Sequence, residues 1–371
     1  MPNLSTRPLI EIPEEERPLA LSQRGKIITA IVGVIAVAVI AVVGYALATG
    51  ENPVAAITDP ITGGDEPPTC PLTGENAASE KAANQPVVAV KVDNTEAARP
   101  QVGIDEADLV YEELVEGGIT RWIVVFQCAK PDRVGPIRSA RTTDAEVLIQ
   151  FGKPVLGFSG GAKSVVKYVK RSGVQAFDED AGGEAFTRDP SRVPPQDLFL
   201  DIPKLAKQGK KAKAEVPEPQ FEYSDELPEG RSKKAGQIDM VFSSINQAAW
   251  EWNKGEERWA RFDGGSPNVL ENGDQILANN VVVQMVKVTE GEITDASGSP
   301  SPEVKVTGKG KAMLFRDGRV FSGTWERPSL EDRTTFTTRE GDAFVLTPGN
   351  TWIELFPSSD GFVESSLEVS K

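Results

Sequence analysis

The sequence has 371 residues, 39% of them hydrophobic, enough to bury one large core or two moderate ones. A net charge of −15 and a pI near 4.7 exclude the basic footprint that nucleic acid requires, and argue against wide contact with anionic lipid or anionic wall polymer. Histidine is absent, which removes the commonest general base near neutral pH, every Ser-His-Asp or Cys-His arrangement and any imidazole-based zinc site; no metal and no cofactor is expected.

Residues 1–26 balance Arg7, Arg17, Arg24 and Lys26 against Glu11, Glu14, Glu15 and Glu16, so the whole net charge belongs to residues 27–371. The first 26 read as a disordered cytoplasmic tail. Ile27–Ala48, IITAIVGVIAVAVIAVVGYALA, carries no charge and matches the roughly 20 residues of a transmembrane helix. Basic residues precede it, whereas Glu51, Asp59, Asp65 and Glu66 come after it. The expectation is a single-pass protein of the cell membrane, contacting the membrane through one helix, with a cytoplasmic N-terminus and extracellular domains. Ala46-Leu47-Ala48 leaves a cleaved signal peptide as the alternative. Residues 49–85 are proline-rich and read as an extracellular linker.

From Pro86 the pattern changes. Val87–Val92, Leu109–Val115 and Thr120–Cys128 are strand candidates, the last two joined by the hairpin-like break Glu116-Gly117-Gly118-Ile119. Leu109, Tyr111 and Glu113 alternate with Val110, Glu112 and Leu114, so a carboxylate falls on each face and the inward one needs a donor. Arg121, Arg138 and Arg141 lie close enough in the chain to supply it. Helices are expected over Thr142–Phe151 and Ala162–Arg171, with a short strand over Pro154–Phe158 between them and an exposed basic helix over Asp201–Lys213. Gly160-Gly161 reads as a plain turn, since it lacks a full phosphate-binding glycine pattern. Pro217–Lys234 makes the best boundary. Beyond it stand the short strand candidates Gln237–Ser243, Ala249–Asn253, Glu257–Phe262, Asn280–Val288, Gly310–Phe315, Arg319–Trp325 and Asp342–Leu346. The expected class is α+β, a membrane-anchored two-domain ectodomain. Its N-terminal α/β domain covers 86–225 and its C-terminal, mostly antiparallel β domain covers 226–371.

Cys70 and Cys128 are the only cysteines. An even count outside the cell predicts a disulfide that staples the linker onto the second strand of the hairpin.

The stretch VVAVKVDNTEAARPQVGIDEADLVYEELVEGGITRWIVVFQ with VGPIRSAR resembles the YerB-like family of envelope proteins of unknown function. The likeness continues through Phe186-Thr187-Arg188-Asp189, Ser191-Arg192, Asp197-Leu198-Phe199, Gly323-Thr324-Trp325 and Pro348-Gly349-Asn350-Thr351-Trp352-Ile353. It spans roughly Val87 to Pro357 and implies an α/β domain followed by a β-rich one, with no known reaction. Similar proteins usually carry histidine where Thr95 and Gln196 stand here, and are often lipid-anchored.

Within these motifs the polar candidates for a ligand site are Asp93, Asn94, Arg99, Glu112, Glu116, Arg121, Arg138, Arg141, Arg188 and Arg192. Asp93-Asn94 ends a strand, where α/β sheets place ligands, and arginine forks suit bidentate capture of carboxylate or phosphate. The competing reading of the same residues is a buried Arg–carboxylate network holding the two domains together. Trp325 and Trp352 read as core. No catalytic residue is assigned. The function expected is an envelope module that binds or scaffolds a wall component or a membrane protein. The alternative is a hydrolase of envelope glycan or phosphoester that uses carboxylates, Glu112 and Glu116, in place of histidine.

Overall fold

In the computed structural model, which describes residues 67–212, 214–294, 298–358 and 364–371, the strands Val88–Asp93 (β1), Leu109–Leu114 (β2) and Thr120–Phe126 (β3) are buried at every position. Their β-branched and aromatic residues suit a pleated surface covered on both sides. β2 and β3 form the expected antiparallel hairpin, and Gly117 and Gly118 take the left-handed conformations its turn requires. β1 lies antiparallel to β3 on the other side.

These strands form the middle of a twelve-stranded sheet to which both halves of the chain contribute. Val155–Gly157 and Gln175–Phe177 continue it in parallel beyond β1. On the β2 side comes Thr351–Pro357, parallel both to β2 and to the long strand Asn280–Thr294. Antiparallel Gly308–Arg316, Arg319–Arg327 and Thr335–Thr338 complete that side. A second, antiparallel sheet runs through Gln237–Ser243, Asn246–Asn253 and Arg258–Asp263 and includes Ser366–Ser370. It packs on one face of the first sheet through aromatic contacts. Trp250 of the second sheet meets Trp352 of the first edge-on at 5.0 Å, beside the first sheet's own Trp122–Trp352 pair at 5.1 Å, and Phe242 meets Phe356 at 5.2 Å. Such pairs add about 0.5–1.5 kcal/mol each beyond the area they bury.

The protein is thus a two-domain, mostly β structure with a few short helices and an antiparallel C-terminal sheet. Helix Thr142–Leu148 passes into a 3₁₀ turn at Ile149–Phe151. Lys163–Val169 is the second expected helix. Ile202–Lys211 is not a wholly solvated helix: Ile202, Leu205, Ala206 and Gly209 are buried, and only its lysine face is open. The Cys70–Cys128 disulfide is present.

The helical membrane anchor needs correction. Among the described residues no helix is long and apolar enough to cross a membrane, the longest being the ten residues of Ile202–Lys211. The tail 1–26, the run 27–48 and the linker up to residue 66 lie outside the described residues.

Candidate functional site

Residues directly opposite one another in a β ladder project from the same face, so register sorts the polar residues of β1–β3 into two sets. Asp93, Arg121 and Glu113 stand in one row. Trp122 and Glu112 stand in the next and face the other way, where Glu112 lies beside Glu354.

On the first face Lys91 is fully buried between two carboxylates. Its Nζ donates to Asp144 Oδ1 at 2.7 Å and to Glu113 Oε1. Burial pushes Glu113 up to about 7, and Asp144 adds to the rise against the pull of Lys91. Asp144 also fixes the start of helix Thr142–Leu148, because its Oδ2 accepts the Arg141 backbone N–H at 2.7 Å.

The segment before that helix is tied into place by backbone bonds. The Ile137 N–H donates to the Leu198 carbonyl and the Arg138 N–H to the Lys91 carbonyl, both at 2.8 Å. Arg138 and Arg141 therefore precede the helix and reach the same cleft, of about 590 Å³, which Glu116, Arg121, Gly161, Lys163 and Ser301 also line. Arg138 Nε lies 3.2 Å from Asp93 Oδ2. Arg141 donates through Nε to Glu116 Oε2 at 2.9 Å and through Nη1 to the Ala140 carbonyl at 2.7 Å. Burial raises the Glu116 carboxyl, but Arg141 and the Ser301 hydroxyl outweigh it and hold the group below the usual glutamate range. Arg121 differs from its neighbours. It is 6% exposed, in no ion pair among the described residues, and its one hydrogen bond is a long one to the Ser139 carbonyl at 3.4 Å. Its Nε has no partner. Burial, then the charges of Arg141 and Arg138, push it down to about 10.

The second face carries a closed network. Arg261, fully buried, reaches Glu112 at 2.6 Å, Asp263 at 2.9 Å and Glu354 at 3.1 Å. Glu112 also accepts from Thr120 at 2.5 Å and from Asn94 at 3.1 Å, and Glu354 accepts from the Trp250 indole at 2.8 Å. Arg99 borders the network, 3.7 Å from Asp263.

The ten candidates thus part into three groups. Glu116, Arg121, Arg138 and Arg141 meet at the cleft, with Asp93 behind Arg138. Asn94, Glu112 and Arg99 belong to the network on the opposite face. Arg188 pairs with Glu179 and Asp197, and Arg192 bonds the Pro100 carbonyl and Glu271; neither lines the cleft. The cations that pair with Glu112 and Glu113 are Arg261 and Lys91, not the three arginines expected. Glu112 and Glu116 share no partner. Thr95 and Gln196 both touch Asp93, the Thr95 N–H at 3.1 Å and Gln196 Nε2 at 3.3 Å. Sequence reasoning missed Lys91, Asp144, Arg261, Glu354, Lys163 and Ser301. For Arg261 a signal existed, an arginine at an inward position of the alternating Trp259-Ala260-Arg261-Phe262.

Comparison with known proteins finds two matches to family profiles. "Protein of unknown function (DUF3048) N-terminal domain" matches residues 72–215, and the corresponding C-terminal domain matches 238–353. A protein of Bacillus subtilis (strain 168) named "Putative lipoprotein YerB" is 31% identical over 298 residues, 78% of this chain and 86% of that protein. A crystal structure of YerB protein from Bacillus subtilis superposes with a TM-score of 0.67 at 24% identity, covering 81% of this chain and 99% of that one, a likeness of fold. These findings overturn the single-pass localisation and the membrane contact through one helix: the similar protein is named a lipoprotein, and no described helix can span a bilayer.

Proposed function

The chain belongs to the DUF3048 family through both of that family's domains, and from that premise we propose that it is a non-catalytic binding module of the cell envelope whose cleft of Arg121, Arg138 and Arg141 captures an anionic group, carboxylate or phosphate. The observation that carries this reading is Arg121, a nearly buried guanidinium that makes no direct ion pair among the described residues, with Asp93 and Glu116 acting on it only from beyond contact. An unpaired buried charge costs several kcal/mol, and an arriving anion would offset that cost. Planar guanidinium forks also match the geometry of carboxylate and phosphate oxygens. Gln196, where the resembling family usually carries histidine, puts an amide donor and not a proton-transfer group beside Asp93.

The envelope location rests on the name of the related lipoprotein. Its lipid is not carried over, because Cys70 and Cys128 are joined to each other. The partner would be a wall component or a membrane protein that presents the anion. Titration calorimetry with orthophosphate and with tricarballylate tests the reading. Binding of at least one probe is expected in the wild type and its loss in Arg121→Gln; undiminished binding by that variant would remove the cleft as the site.

A further inference from the structure

The arginine cleft is one end of a longer groove. It shares Arg141, Val165 and Ser301 with an opening of about 510 Å³ between helix Thr142–Leu148 and the paired strands Asn280–Thr294 and Pro300–Lys305. That opening shares Lys287 and Lys305 with a third, of about 470 Å³, over strand Gly308–Arg316. Eight basic side chains line the whole, against three acidic ones, on a chain of net charge −15. Two of the three acids are engaged, Glu116 by Arg141 and Ser301 and Glu146 by the Tyr168 hydroxyl at 3.1 Å.

The lysines are arranged for something outside the fold. Lys287 and Lys305 stand directly opposite each other in the ladder, where like charges are destabilising. Lys309 and Lys311 project from one face two residues apart, about 7 Å along the strand. All four are exposed, and among the described residues none is in an ion pair, although Glu326 stands opposite Lys309.

We infer that the groove is a track for a linear polymer with an anionic group on each repeat and a non-aromatic backbone, anchored in the arginine cleft and led along Lys287, Lys305, Lys309 and Lys311. The inference rests on the reading of the cleft as an anion site. Nucleic acid is the less suited polymer, since no exposed ring lines the groove for bases to stack on. Trp325, which borders it, is 2% exposed and donates its indole N–H to the Met285 carbonyl at 2.8 Å.

The test compares orthophosphate, long-chain polyphosphate, polygalacturonate and an oligothymidylate of matched charge on the full chain. Polyphosphate or polygalacturonate is expected to bind at least a hundredfold tighter than orthophosphate, and the better of the two identifies the anion. Replacing the four lysines by alanine should weaken that polymer at least tenfold and reduce its log–log salt slope by about 3, while orthophosphate binding is unchanged. Lys305→Ala alone should raise the melting temperature by relieving Lys287, and a cooperative melt of the fourfold variant at or above the wild-type temperature shows that it folds. Polymer binding that ignores the lysines, with orthophosphate binding intact, would overturn the track alone. Lysine-dependent polymer binding with no orthophosphate binding and no effect of Arg121→Gln would overturn the cleft reading alone. Tighter binding of the oligothymidylate would overturn the choice of polymer.

Discussion

Glu112 and Glu354 face one another across parallel strands from the two family domains, and one guanidinium, that of Arg261, reaches both. Burial pushes the Glu354 carboxyl well above its ordinary value, and the negative charge of Glu112 pushes it further. Both effects favour the protonated form of Glu354.

Arg261→Met should therefore destabilise the protein by about 3–5 kcal/mol, since it removes the cation that reaches Glu112 and leaves Asp263 only Arg99, 3.7 Å away. Glu354→Gln, which mimics the protonated group, should cost about 1 kcal/mol or less. Urea denaturation measures both, and a Glu354→Gln loss as large as that of Arg261→Met would refute the protonated assignment.

The Lys91 group sets a pH dependence. Glu113 has a folded pKa of about 7 against 4.5 for the ordinary group, so the folded protein binds this proton more tightly. Its contribution is complete below about pH 4.5 and is lost as pH rises through 7. Between pH 5 and 8 this loss is on the order of 2 kcal/mol. Glu113→Gln should flatten that part of the curve; a variant as pH-sensitive as the wild type would exclude Glu113.

Removing the disulfide by Cys70→Ser with Cys128→Ser opens a link across 58 residues. The chain-entropy estimate for such a loop is about 4 kcal/mol. Guanidinium midpoints with and without reductant should move together with the double variant.

Within the cleft the arginines should separate by their partners. Arg138→Ala with Arg141→Ala leaves Asp93 and Glu116 unpaired and should cost on the order of 3 kcal/mol. Arg121→Gln breaks no ion pair and relieves a buried charge, so it should leave stability unchanged or raise it. Equal losses in the two proteins, measured by thermal melting, would mean that Arg121 has a structural partner after all.

Glu112→Gln discriminates the hydrolase reading. Glu112 is fully buried under Arg261, so the substitution should change stability and leave no turnover of glycan or phosphoester to lose. Turnover that is present in the wild type and vanishes in this variant would restore the carboxylate hydrolase.

The local signals in the sequence were reliable. Glu116-Gly117-Gly118 announces its hairpin, and Thr142 onward carries the periodicity of a helix. Gln237–Ser243 matches its strand end to end because its burial alternates. Thr351–Pro357 carries no such signal. It is buried at every position, so period 2 disappears, and its partners in β2 and Asn280–Thr294 are distant in sequence. The cleft shows the same division. Arg138 and Arg141 are legible side by side, whereas Ser301 closes over Glu116 from 185 residues away. The expected Arg–carboxylate network between domains has its counterpart around Arg261, an arginine outside the motifs that suggested it.

The position of Thr351–Pro357 has a consequence for how the molecule is made. Because that strand lies between β2 and Asn280–Thr294, a ribosome that has released every residue up to 350 has still not supplied the strand that unites the sheet. Until then the partly synthesised chain carries two unfinished edges, one of them the Leu-Val-Tyr-Glu-Glu-Leu ladder of β2, open to pairing with any extended peptide nearby. Quality control during synthesis must shield an interior seam, and a message broken shortly before codon 351 would yield a sticky product in place of a smaller working domain.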